Sequence, residues 1–588
     1  MASACLLIVL GVLVWGDPCM GRAVTVLTPV GKIAGASEQL VVNGRPFGIS
    51  RFLSIPYAET TGGQNRFRKP IQKAPFTDIF NATQLPMGCY PGHQVSTTAY
   101  GMFLNFTEDC LILNVYVPHM FERNASLPVM VWIHGGAFVE GAAAIYPGEG
   151  IATLGNVILV TINYRLGMFG FIRSASGDLP GNQGLWDQHL AIKWVHNNIA
   201  AFTGNPDDVT IIGESAGAAS VIFQTLYAGN RGLFRRVIAQ SGSPLAYWTI
   251  HNGPNADALM KKKSCGGSPD PASCLRALAP EVLQDEDTSP WLPIVDNDFL
   301  VADPKDIVFG NDPSTAAARN LFSSVDFLTG INDFDGAIQI TSIWPSILGY
   351  TNIDNFTLTQ EKFSKVVVPI TVSAAQPSVN NETADVLGRL MDFMYTDWSR
   401  PDDSDAVRNA LVDLSNDVPF FAPAMSTVEG HASLGGARTF LYQFSVAPTT
   451  HTLETPSWIT GPNHADEIQY VFGYPLYSAT PTSIMNTGHY TDQERLVADA
   501  LVTMWTNFAK TGDPNKPMNV PWYTNTTWPE YDIKSRAYMQ LSGDGATAGS
   551  RFAARRMEFW QHLFPAVANT YDCHPHAQGP NVPILVGK

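Results

Sequence analysis

The sequence predicts an α/β fold: one large, mostly parallel central sheet with helices on both faces and long insertions. Three observations carry this. Short runs rich in apolar and β-branched residues recur at 110–117, 127–133, 157–163, 236–240, 325–329 and 438–443. Near-continuous apolar runs are what strands covered on both faces require, as in parallel sheets. Helical patterns alternate with them at 186–200, 216–225, 255–263, 384–394 and 492–511, and such alternation implies crossovers within one sheet. No internal repeat and no linker rich in Pro, Gly or Ser divides the 588 residues. The chain therefore reads as one large domain with insertions.

Composition narrows the class. Hydrophobic content of 45% against 15% charged residues is that of a globular protein with a large core. The net charge of −16 argues against nucleic acid and anionic membrane surfaces as partners. Residues 1–23 read as a secretory signal, with an apolar run at 6–15 too short to span a bilayer. That signal lacks Lys and Arg in its first residues, so a signal anchor is the alternative. No later run spans a membrane, and the end at Val586-Gly587-Lys588 is not a lipid-anchor signal. A secreted protein follows, with a domain at 24–570, a tail at 571–588 and no stable membrane anchor. Six glycosylation sequons agree with secretion, at Asn81, Asn105, Asn124, Asn355, Asn381 and Asn525. Short local loops favour pairing Cys89 with Cys110 and Cys265 with Cys274, although sequence alone does not prove connectivity. Cys573 is left to bridge two chains into a homodimer, to pair with Cys19, or to stay free.

Taken in order, residues 24–42 alternate β-favouring residues with Gly and Pro, which suggests hairpins. The strand at 127–133 ends in His134-Gly135-Gly136-Ala137-Phe138. Consecutive glycines there let backbone N–H groups turn toward an incoming oxygen, although a plain glycine turn ending a strand is the ordinary alternative. The centre of the chain is 209–218. Its β-branched run at 209–212 meets Gly213-Glu214-Ser215-Ala216-Gly217, and a helix pattern follows. This is the layout of a nucleophile elbow, in which a sharp turn presents a serine at the strand's carboxyl end. A Gly-Ser turn of any α/β domain is the bland competitor. The N–H groups of Gly135, Gly136 and Ala216 would then make an oxyanion hole.

A serine nucleophile needs a base and an acid. By chain order the base is His464, in Gly461-Pro462-Asn463-His464-Ala465-Asp466-Glu467, with His451, His489 and His562 as competitors. The acid follows the strand at 325–329, and Asp335 and Asp333 are equally placed by position alone. Trp248 is a candidate for lining an acyl pocket, with core packing the default for any single Trp.

Together these stretches resemble the cholinesterase/carboxylesterase (type-B) family of α/β-hydrolases. The likeness is carried by Glu108-Asp109-Cys110-Leu111, the glycines after His134, Asn163-Tyr164-Arg165, the segment from Gly181 to Leu185, the serine pentapeptide, Gln240-Ser241-Gly242 and His464 to Glu467. It implies an α/β-hydrolase fold and hydrolysis of carboxylic esters, lipid or other neutral esters, without a metal or cofactor. The family's G-x-N-x-x-[DE]-G pattern falls on Gly330 to Gly336 and assigns the acid to Asp335. The resemblance also implies the two disulfides above, a Glu beside the nucleophile, and a structural role for Arg165 and Asp187. Within the family, the chain resembles the bile-salt-activated lipases through Leu179 to Asn182, Asp187 to Ala191, Asn198 to Phe202 and Asn463 to Gly473. The loop after Phe138 is shorter than the bile-salt-binding loop of that group and proline-rich tail repeats are missing, which argues against bile-salt activation. No Trp lies between Cys89 and Cys110, and Tyr100 falls near the position where cholinesterases hold choline. Cholinesterase-like activity, or a catalytically silent adhesion or matrix role, are the alternatives.

Overall fold

The structure is a computed structural model that describes residues 22–92, 105–118, 125–251, 253, 255–284, 291–477, 488–523 and 526–571. The signal segment, Cys19, Tyr100, Asn124, Asn525, Cys573 and the tail from 572 lie outside the described residues.

A 13-stranded sheet forms the centre. Twelve of its strands run edge to edge: β1 (Arg22–Thr28), β2 (Gly31–Val42), β3 (Arg45–Pro56), β4 (Ile112–Pro118), β5 (Leu127–Ile133), β6 (Ile158–Ile162), β7 (Gly204–Glu214), β8 (Arg236–Gln240), β9 (Asp326–Asn332), β10 (Thr439–Phe444), β11 (Ala537–Ser542) and β12 (Gly545–Ser550). Their spatial order is β1-β2-β3-β4-β6-β5-β7-β8-β9-β10-β11-β12, and Phe80–Asn81 joins β2 from the side. From β6 through β5 to β11 every pairing is parallel. At the two ends, from β1 to β6 and from β11 to β12, every pairing of neighbours is antiparallel. This is an α/β-hydrolase architecture.

Strand alternation separates two cores. Val129, Val131 and Ile133 of β5 face one side, where α1 (Gln183–Asn198) and α2 (Ala216–Thr225) pack. Met130 and Trp132 face the other, against α4 (Asp492–Thr511), with α3 (Ala422–Leu434) on the first side. Successive side chains of a strand point to opposite faces, so a wholly apolar strand needs both layers. α4 is started by a full capping box between Thr491 and Glu494 and ended by Gly512 in the left-handed region.

Among the described residues, three helices contain π-helical turns that the sequence periodicity did not show: Phe363–Val367, Asp417–Phe421 and Phe559–Leu563. Each is followed two residues later by a proline: Pro369, Pro423 and Pro565. A proline ring clashes with the carbonyl four residues back, and in all three cases that carbonyl lies inside the widened turn. The extra residue per turn makes room for the ring. At Asp417–Phe421 the displaced carbonyl of Pro419 finds a donor, the indole N–H of Trp248 at 3.0 Å.

Disulfides join Cys89 to Cys110 and Cys265 to Cys274. The first spans 21 positions, so opening it by Cys89→Ser with Cys110→Ser should cost about 3 kcal/mol of unfolding free energy in non-reducing denaturant titrations. Asn81, Asn105, Asn355 and Asn381 are all exposed. No described helix is long and apolar enough to cross a membrane.

Candidate active site

β7 runs out at Glu214 and α2 begins at Ala216, leaving Ser215 as the hinge with φ 57° and ψ −123°. A β-carbon makes positive φ costly, by about 1–3 kcal/mol, and such strain persists only where the surroundings hold it. Here the Ser215 N–H donates to the Gln240 carbonyl at 2.8 Å, and the Ser215 carbonyl accepts from Ala219 N–H at 3.0 Å. The turn also needs close approach: a β-carbon on Gly217 would stand 2.0 Å from the carbonyl oxygen of Ile133. So strand β5 lies directly under the start of α2, which brings the loop after β5 beside the serine.

That loop holds Gly135 and Gly136. A β-carbon on Gly135 would lie 3.0 Å from the Ser215 β-carbon and 2.8 Å from the Glu214 carbonyl oxygen. The backbone then runs through positive φ at Gly136, Ala137 and Phe138. His134 secures this turn. Its ring stacks on Tyr164 with centroids 4.5 Å apart, and its Nδ1–H donates to the Gly135 carbonyl at 2.8 Å. Burial lowers its pKa to about 4, so the ring stays neutral. The Gly135 carbonyl and the Gly136 N–H belong to one peptide plane, so this bond orients the candidate donor. The role of His134 had one signal in the sequence, a histidine directly before the glycines.

The structure brings Asp335 and His464 together. His464 Nδ1 lies 2.9 Å from Asp335 Oδ1. The other carboxylate oxygen accepts from Ser241 Oγ at 2.9 Å and from Asn332 N–H at 2.8 Å. Asp333 points elsewhere, its Oδ1 accepting from Gln443 at 2.6 Å and Ser445 at 3.0 Å. Among the competing histidines, His451 pairs with Asp466 at 2.7 Å, while His489 and His562 are exposed.

The far nitrogen of His464, Nε2, stands 3.1 Å from Glu214 Oε1, the residue next to Ser215. The pair is an electrostatic contact and not an aligned hydrogen bond. Phe420 covers the imidazole, ring centroids 4.7 Å apart, from the π-helical turn that Trp248 braces. Burial pulls the His464 pKa down, yet the carboxylates of Glu214, Asp335 and Glu467 outweigh it and raise it to about 9. Burial raises Glu214 to about 8, opposed by the His464 charge and reinforced by Glu467 and Asp335. Burial likewise lifts Glu467 to about 7, helped by Asp335 and resisted by hydrogen bonds from Asn332 and Gln240. Three buried carboxyl groups thus share one histidine.

Arg165 and Asp187 form a buried bidentate pair, with bonds of 2.7 and 2.6 Å. It pins the loop after β6 to α1. A cavity opens beside the Asp417–Phe421 turn, lined in part by Tyr247, Gln339, Trp344, Leu414, Val418 and Pro419. None of the described residues lining it is charged.

A strained serine between a parallel strand and a helix, with a hydrogen-bonded Asp–His pair beyond later strands, defines the α/β-hydrolase class of enzymes. Comparison with known proteins narrows the class. The profile of the Carboxylesterase family matches residues 22–560. The chain is 34% identical to the bile salt-activated lipase of Bos taurus, over 92% of this chain and 88% of the lipase. It is 36% identical to that of Rattus norvegicus, over 87% and 81%, and 32% identical to the acetylcholinesterase of Bungarus fasciatus, over 94% and 88%. The chain belongs to the carboxylesterase family, and is a carboxylic ester hydrolase.

Proposed function

We propose that this protein is a secreted serine esterase that cleaves neutral carboxylic esters, lipid esters among them, through an acyl-enzyme. The observation that carries the reading is the Asp335–His464 hydrogen bond of 2.9 Å, whose histidine also meets the residue preceding the strained Ser215. His464 takes the proton of Ser215 as its oxygen attacks the ester carbonyl. The N–H groups of Gly135, Gly136 and Ala216 hold the oxyanion. His464 then returns the proton to the leaving alcohol, and later takes one from the water that cleaves the acyl-enzyme. Asp335 keeps the imidazole in the tautomer with its proton on Nδ1. Secretion is supported by the signal-like residues 1–23, the disulfides and the exposed sequons; residues 24–570 are then the catalytic domain.

The lack of a Trp between Cys89 and Cys110 favours a neutral substrate group over a cation. The likeness to an acetylcholinesterase keeps choline esters as the second reading. Nitrophenyl esters of increasing acyl length, assayed beside acetylthiocholine, decide between them. Longer neutral esters should be turned over faster than the thiocholine ester; a reversed order would assign the site to choline esters.

The pH profile is a second test. His464 must be neutral at Nε2 to act as base, so activity rises as it loses its proton. The sequence reading places that limb near pH 6 to 7, the ordinary histidine range. The facing carboxylates move it up. Because Glu214 is itself raised, it and His464 titrate as a coupled pair. Glu214→Gln removes one raising charge, and the acid limb of kcat/KM should move to lower pH than in the parent. An unmoved limb would mean that Glu214 does not act on His464.

A further inference from the structure

We propose that His451 and Asp466 form a positioning pair that holds the His464 loop in its working register, so that turnover depends on a histidine outside the reacting atoms. The proposal rests on the esterase reading above.

Asp466 lies two residues beyond His464 and is fully buried. Its Oδ2 accepts from His451 Nδ1 at 2.7 Å and from Asn463 N–H at 2.7 Å, and its Oδ1 accepts from Thr452 N–H at 2.7 Å. One carboxylate therefore ties the turn around His464 to the segment before it. The tie matters because the turn is strained: Ala465 sits at φ 66°, and such a conformation needs external hold. Asn463 carries the other side. Its side-chain oxygen accepts from His464 N–H at 2.7 Å, and its carbonyl accepts from Asn332 at 2.8 Å, on the strand that leads to Asp335. A displacement of Asn463 would therefore move the base relative to its acid.

The far side of the tie is anchored to a helix start. Thr449 donates its N–H and hydroxyl to Glu494 at 2.9 and 2.7 Å, and Glu494 is the partner of Thr491 in the capping box of α4. The path runs from a helix start, through residues 449–452, to Asp466 and then to His464. The His451 side chain is 24% exposed, so truncating it leaves no sealed cavity. Its loss removes one donor from a buried carboxylate and one clamp from the turn.

The test is steady-state hydrolysis of nitrophenyl butyrate by the full chain and its Ser215→Ala, His451→Ala and His451→Asn variants, with melting temperatures alongside. His451→Ala should lower kcat about 10- to 100-fold, the scale on which a small misplacement of a reacting group acts, while KM stays near the parental value. His451→Asn places an amide N–H near the Nδ1 position and should restore most of kcat. Parental kcat in His451→Ala overturns the proposal, as does a loss that His451→Asn does not restore. With an active parent and a dead Ser215→Ala, either result counts against the positioning pair alone. An inactive parent, or a Ser215→Ala variant at the parental rate, overturns the esterase reading and this proposal with it.

Discussion

Ser215→Ala should lower kcat for ester hydrolysis by about a million-fold, the scale seen when a triad nucleophile is removed. The fold should be untouched. Alanine has the same β-carbon as serine, so the positive φ at 215 costs both residues about equally, and the holding bonds from Gln240 and Ala219 are backbone only. The measurement is kcat on a nitrophenyl ester beside a thermal melt. A variant that melts with the parent and keeps its rate would place the chemistry elsewhere. Residual hydrolysis a thousandfold or so above the uncatalysed rate is expected from the oxyanion donors and substrate binding.

Asp335→Asn should lower kcat about ten-thousand-fold, through the wrong tautomer. The geometry dictates which way the new amide turns. At the Oδ2 position two donors converge, Ser241 Oγ and Asn332 N–H. The amide oxygen must stay there, because an NH2 group would meet two donors. Its NH2 group then faces His464 Nδ1, which can only answer as an acceptor. The imidazole proton moves to Nε2, the side that must receive the serine proton. The change is nearly isosteric, so kcat should fall while the melting temperature holds. A variant within tenfold of the parent would show that Asp335 does not set the tautomer.

How far the sequence alone reached depends on what kind of contact made each feature. The elbow was legible because strand, glycines, serine and helix are contiguous. His464 was reachable by chain order. Asp335 against Asp333 was not decidable from position. The two differ by the partners that distant strands bring, Gln443 and Ser445 to one and His464 to the other. The family pattern supplied what local chemistry could not. Elements held by local patterning came within a few residues of their places, as with α4, which starts at Asp492 and ends at Thr511 as read. β7 begins earlier than the apolar run, at Gly204, since Gly204 pairs with Leu127 across an irregular register before regular pairing resumes at Val209. The edge pair β11–β12 escaped notice because Ala, Gly and Ser dominate its outer strand. The π-helical turns had a signal, a proline two residues beyond each, that helical periodicity does not weigh. The contacts of Glu214 with His464 and of His451 with Asp466 have no local signature at all.

The parallel run of the sheet has a bearing on how the protein is made. β7, with its serine, leaves the ribosome well before β9 and β10, whose loops bring the acid and the base. Roughly 250 residues separate Ser215 from His464, and at translation rates of about 5–20 residues per second the interval is tens of seconds. During that time β8, and then β9, is the open edge of a sheet apolar on both faces. Unpaired apolar edges seek other chains. The open edge of the sheet thus falls in the middle of synthesis, and only the later strands cover it.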